Sequence, residues 1–179
     1  MEAGITIFNT TLAVATLVGT ILIGILFIIL IAQKFISLNK VTSWLGRHAV
    51  VLSFLIALGS VLGSLTYSNI IGFEPCMLCW WQRIFLYPLV VIFGAALIRK
   101  DHISAKWTAL PLGLISAGIS TYHYLVQRFL QNGPACSVLG QSASCDGFYL
   151  FEFGYVTIPM MALVAAVLIM ILMTFVKKK

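Results

Sequence analysis

Apolar residues gather into five runs, at 11–32, 49–71, 79–98, 108–130 and 157–176, parted by short polar joints. Each run approaches the roughly 20 residues a helix needs to cross a bilayer, so the pattern predicts five spans. The first, TLAVATLVGTILIGILFIILIA, is long for a signal-peptide core; Glu2 stands where basic residues would precede such a core, and no A-x-A site follows. It is expected to stay as a membrane helix. The other four runs form two hairpins joined by IRKDHISAKW, with two loops on the opposite side. Pro88 falls inside the third run, where it is expected to kink the helix. Pro111 and Pro159 are expected in first turns, where proline costs little.

Composition agrees with lipid as the solvent. The chain is 61% hydrophobic and 9% charged, with mean hydropathy +1.06, against about 25% charged residues in soluble domains. Its net charge of +6 does not form a patch for nucleic acid. The basic residues mark joints instead: Lys34, Lys40 and Arg47, then Arg99, Lys100 and Lys106, then Lys177, Lys178 and Lys179. The N-terminus and the segments 72–78 and 131–156 hold no Lys or Arg. The positive-inside rule then predicts an N-terminus outside, a C-terminus in the cytoplasm and both other loops outside.

The chain has four cysteines, Cys76, Cys79, Cys136 and Cys145, all in or beside the two outward loops. An oxidising exterior favours disulfides there. Pairing by loop gives Cys76–Cys79 and Cys136–Cys145, although four cysteines allow three connectivities. Zinc is not expected, because structural sites favour two closely spaced knuckles and eight residues separate the second pair. Structural disulfides are the alternative for the second pair. They suit the first poorly, since so small a ring constrains little of the unfolded chain.

The stretch EPCMLCWWQR, residues 74–83, carries the chemistry. Pro75 breaks an incoming helix, so a new helix is expected to begin near Cys76, and a helix N-terminus lowers a thiol pKa. Cys79 and Arg83 stand four apart on one helix face, about 6 Å along the axis. An arginine inside a span is a functional candidate, with snorkelling to the interface as the alternative. Two disulfide-capable pairs on one side imply a thiol–disulfide relay. No haem, flavin or iron–sulfur motif supplies an electron sink, whereas a quinone needs only an apolar slot and a cation such as Arg83, flanked by Trp80, Trp81 and Tyr87.

PCMLCWWQR, the two-cysteine outer loop and FGYVTIPMMAL before the last span resemble the disulfide-bond formation protein B family (DsbB, or BdbC-type in Gram-positive bacteria) over roughly residues 45–176. The resemblance implies an all-α membrane protein, a four-helix transmembrane bundle, here with one additional N-terminal helix. Residues 1–44 would form that helix and a basic linker, and 45–179 the redox bundle. It also implies a quinone reductase that reoxidises a soluble DsbA-like thioredoxin-fold protein in the bacterial cell membrane. By position, Cys136 would take the partner's attack, Cys145 would pass the electrons to Cys76, and Cys79 would meet the quinone beside Arg83. DsbA is strongly oxidising, about −120 mV, so its oxidant needs a still better acceptor. Ubiquinone and menaquinone are not told apart.

His123, in STYHYLVQRF, is a candidate for bonding a quinone carbonyl or moving protons, or else an interfacial polar residue. Trp80 is a candidate for stacking on the ring, with an aromatic-belt anchor as the alternative. Gln82 and Arg128 read as interface residues. Two other classes stay in view. A vitamin K epoxide reductase-like enzyme also joins C-x-x-C to a loop pair, but in the reverse chain order. A non-enzymatic membrane protein would hold only structural disulfides.

Overall fold

The computed structural model describes residues 2–33, 35–36, 38–129, 145 and 150–177. It contains five α-helices, α1 (Glu2–Ala32), α2 (Asn39–Leu65), α3 (Met77–Arg99), α4 (His102–Phe129) and α5 (Ile158–Thr174). A π-helical turn, Thr66–Ile70, continues α2. Among the described residues there is no strand beyond an isolated bridge, Glu152 to Val156. That bridge closes a three-residue turn, 153–155, in which Phe153 and Gly154 are both at positive φ, 51° and 76°.

Among the described residues three stretches are long and apolar enough to cross a membrane: Ala3–Ala32, Asn39–Ile70 and Met77–Arg99. Two helices differ from the five equal spans the hydropathy pattern predicts. The apolar α5 has only 17 residues. α4 is long, but it turns a polar stripe inward: Ser116, Ser120, His123 and Gln127 are all buried. These residues recur at helical spacing, so α4 reads as less apolar than its lipid-facing side.

The helix ends follow local chemistry. Cys76, in extended conformation after Pro75, is the N-cap of α3. Lys100 ends that helix in the left-handed region at φ 56°, with its N–H donating to Ala96 O. Asp101 then accepts the Ser104 N–H at 3.1 Å and starts α4 six residues before the apolar run. Pro111 is therefore inside α4 and not in its first turn. It removes one backbone donor there. Pro159 does sit at the start of α5, and α3 continues through Pro88.

One apolar core joins α2, α3, α4 and α5 around Val50, Ala57, Leu89, Phe93, Ala109, Ile169 and Met173. The basic end of the bundle is latched: Lys106 Nζ donates to Val176 O at 2.9 Å. Gly46 lies so close that a Cβ would stand 2.5 Å from Phe175 O. On α4, Lys106 and His123 are about 26 Å apart at 1.5 Å per residue. The basic latch and the cysteines thus occupy opposite ends.

Candidate functional site: a thiol pair between a histidine and a cavity

The first turn of α3 sets the geometry of the thiols. With Cys76 as N-cap, Cys79 falls one turn on, and the Cys76 thiol donates to Cys79 Sγ at 3.4 Å. Cys76 is buried, 3% exposed, while Cys79 is half-buried. The expectation of a lowered thiol pKa at this helix start does not hold for Cys76, whose thiol is pushed up to about 12. The hydrogen bond to Cys79, which Cys76 makes only while protonated, is the main cause, with burial second. Cys76 also does not face water. It faces His123 of α4.

What it meets there is His123, buried at 1% exposure. His123 Nε2 lies 3.2 Å from the main-chain carbonyl of Cys145 and 3.6 Å from Cys76 Sγ. A carbonyl only accepts, so Nε2 carries the proton. Nδ1 is then an acceptor, and the Gln82 amide donates to it at 3.2 Å. The ring is thereby held as a donor toward Cys145 O with Cys76 Sγ beside the same N–H. It stabilises negative charge on that sulfur and is not set to remove its proton. Cys145 is itself buried and near enough to act electrostatically on Cys79. Cys136 lies outside the described residues.

Arg83 does not snorkel. Its Nε donates to Ser64 Oγ at 3.0 Å and its terminal nitrogen to Ser64 O at 3.2 Å. The Trp80 ring lies under the guanidinium, 5.2 Å from ring centre to Cζ, a cation–π contact. Cys79, Arg83 and Tyr87, spaced by four, line a cavity of about 330 Å³ together with Gln82, Ser64 and Tyr67. Phe73, Glu74 and Pro75 before α3, and mostly apolar residues of α1, α2 and α5, complete it. Trp80, half-exposed, and His123 are not among its lining residues.

Among the described residues the buried Tyr87 hydroxyl has no hydrogen-bond partner, a costly arrangement unless something bonds it. Cavity, cation and orphan hydroxyl together fit a flat apolar ring bearing carbonyl oxygens. A metal fits less well. Cys76, Cys79 and His123 bring three possible ligand atoms within 4.8 Å of one another, but a structural zinc takes four. The imidazole nitrogen facing them is, moreover, a donor to Cys145 O.

Three site residues were not apparent from sequence. Gln82 is buried and orients His123, contrary to its reading as an interface residue. Ser64 holds Arg83 from α2. Tyr87 was legible only as a neighbour of Arg83, and its spacing of eight from Cys79 is the signal that places it on the same face. Arg128 lies over the Phe151 ring at 5.2 Å.

A family model described as disulfide bond formation protein DsbB matches residues 46–176. Disulfide bond formation protein C of Bacillus subtilis (strain 168) is 44% identical over 128 residues, 70% of this chain and 89% of the relative. Probable disulfide formation protein C 1 of Bacillus anthracis is 44% identical over 110 residues, 62% of this chain and 78% of the relative. A probable disulfide formation protein of Metapseudomonas resinovorans is 34% identical over 142 residues, 79% of this chain and 98% of the relative. No solved structure matches. The matched region contains the C-x-x-C pair, Arg83, His123 and both loop cysteines, and α1 lies outside it. The chain belongs to the DsbB family of disulfide bond formation proteins, and is an integral membrane protein with a role in disulfide oxidation.

Proposed function

We propose that the protein is a membrane quinone reductase that reoxidises a soluble, DsbA-like thioredoxin-fold dithiol protein. The observation that carries this reading is the position of the Cys76–Cys79 pair. One thiol faces His123 and the Cys145 carbonyl, and the other faces a 330 Å³ cavity with Arg83 and Tyr87. That volume falls within the range of small-ligand sites, about 300–1,000 Å³.

The exchange steps balance as follows. A partner thiolate attacks Cys136 of a Cys136–Cys145 disulfide, forming a mixed disulfide and releasing the Cys145 thiolate. Cys145 attacks Cys76 of a Cys76–Cys79 disulfide, joining Cys145 to Cys76 and releasing the Cys79 thiolate. The partner's second thiolate displaces Cys136 and leaves the partner oxidised. Cys136 then attacks Cys145, restoring the loop disulfide and expelling Cys76. The His123 Nε2–H stabilises Cys76 as it leaves. Two electrons now reside on the Cys76 and Cys79 thiolates, and two protons, equal to those the partner's thiols gave to solvent, complete the dithiol. A quinone, when bound, supplies the two-electron, two-proton acceptor this balance requires. Arg83, held by Ser64, provides a fixed positive charge beside Cys79, and Tyr87 provides a donor deeper in the slot.

The four helices α2–α5 would form the redox bundle, with 1–44 as an added helix and linker. The thiol end faces the exterior or periplasm and the Lys106–Val176 latch the cytoplasm. The basic joints support that sidedness. In the test, purified protein receives reduced DsbA-type partner and quinone while quinone absorbance is followed. Quinone loss should equal partner disulfide formed. An absence of quinone reduction, or the same rate in Cys79→Ala, overturns the reading.

A further inference from the structure

The cavity beside Cys79 has a wall that the family match does not include. α2 lines it from Leu55 to Tyr67, α3 from Cys79 to Tyr87 and α5 from Ile158 to Leu168, and α1 adds Leu12, Ala15 and Thr16. α1 ends before residue 46, where the DsbB match begins. The Metapseudomonas relative is matched over 98% of its length while 79% of this chain is used, so about a fifth of this chain has no counterpart in that match.

α1 is seated on both flanks of the slot. On the α2 side, Tyr67 donates its hydroxyl to Asn9 Oδ1 at 3.0 Å. Phe8 meets the Tyr67 ring edge-on at 5.3 Å, and Leu12 packs over Gly63, 3.5 Å from where a Cβ would be. On the α5 side, Gly19 permits close approach: a Cβ there would stand 2.7 Å from Val164 Cγ1 and 3.3 Å from Leu168 Cδ1. Tyr67, Gly63, Val164 and Leu168 are themselves cavity residues. α1 therefore bridges α2 and α5 across the slot, and without it the slot would lie open to lipid between them.

The residues it presents are small or apolar where its lipid side is bulky. Ala15 and Thr16 line the cavity, and the Thr16 hydroxyl is already spent on Leu12 O at 2.8 Å. Val14, Val18, Leu22 and Ile25 on the same helix are exposed and take no part in the lining. From this placement we propose that α1 is a ligand-contacting wall of the slot: Leu12, Ala15 and Thr16 touch the prenylated quinone and help set which ring and first tail units are accepted. The proposal rests on the quinone reading above, and deepens it by assigning a role to the helix that lies outside the family match.

The test uses the full chain in lipid nanodiscs with a short-tailed azidoquinone, followed by mass spectrometry of the photolabelled peptides. Label should fall within residues 2–33 as well as on α2 or α3, and unlabelled quinone should compete it away. Ala15→Trp, which fills the slot from α1, should raise the quinone KM about tenfold and remove the α1 label. Val18→Trp, on the lipid side of the same helix, should leave both values as in the wild type. Leu12→Ala, which adds no bulk, should change the preference between short- and long-tailed quinones. Thiol exchange with the reduced partner, measured without quinone, monitors folding of each variant. Label confined to α2 and α3, or equal KM values in Ala15→Trp and Val18→Trp, overturns the wall. A wild type that neither reduces quinone nor takes label overturns the quinone reading itself.

Discussion

Two faces of the first turns of α3 meet opposite surroundings. Cys76 looks toward α4, where His123, Gln82 and the Cys145 carbonyl fill the space with hydrogen-bonding groups. Cys79, Arg83 and Tyr87 look into a cavity closed mostly by apolar side chains of α1, α2 and α5, with Glu74 at its edge. Three residues of spacing between the cysteines thus carry a disulfide from a protein-facing to a slot-facing environment. Gln82 touches both, since it bonds His123 and lines the cavity. In the proposed mechanism the helix itself would be the partition between thiol exchange and electron acceptance, with the 3.4 Å sulfur contact as the link across it.

The most severe break in that comparison is loss of the link. Cys79→Ala should reduce partner-dependent quinone reduction on the order of 10³-fold or more, as expected when one member of a reacting unit is removed. The quinone absorbance assay measures it. Next, Arg83→Ala should disturb only the slot face. Hydrogen bonds involving a charged group contribute about 1.5–3 kcal/mol, so the quinone KM should rise roughly 10- to 100-fold. Partner exchange in the absence of quinone should be unaltered, and its loss would show instead that Arg83 is structural.

His123→Ala should disturb only the other face. It leaves the buried Gln82 amide and the Cys145 carbonyl without their imidazole partner, at a cost of about 1–3 kcal/mol of stability. Thermal melts should record that loss, and transfer from Cys145 to Cys76 should slow in stopped-flow exchange while the quinone KM holds. Tyr87→Phe is milder. Removing an unpaired buried hydroxyl should not lower the melting temperature, whereas the quinone KM should rise about 3- to 10-fold for one neutral hydrogen bond.

The smallest effect near neutral pH is the titration of Cys76. Its folded pKa, pushed up to about 12, lies above the ordinary thiol value of 9.0. Below 9 both folded and unfolded chains keep the proton, and the stability this provides is fully present. Between 9 and 12 the unfolded chain loses the proton first, so stability falls as pH rises. The difference in melting temperature between reduced wild type and Cys76→Ser should stay constant below pH 9 and change above it, with wild type losing more.

Spacing within one helix was easy to read and contact between helices was not. Cys76, Cys79 and Arg83 follow from local periodicity, and Pro75 announces where α3 begins. Gln82 meets His123 across 41 residues and Arg83 meets Ser64 across 19, contacts that only the packing of α3 against α4 and α2 creates. Hydropathy located the lipid-contacting runs but not the helix ends. α2 starts at Asn39, ten residues before its apolar run, and α4 at His102 through the Asp101 cap. Helices persist through polar margins because capping and backbone bonds, not lipid, decide where they stop. α4 looked like one more equal span because its inward polar stripe is diluted by Leu and Ile on its other faces.

Cys145 is held by its main-chain oxygen. Recognition of a backbone atom is indifferent to the side chain that follows it and to whether that sulfur is bonded or not. In the proposed relay His123 would therefore be a constant address for residue 145, with the chemistry varying around it. A serine at Cys145 would keep the address while removing the nucleophile. The proposed relay would then halt at that contact in a homogeneous, non-reacting form.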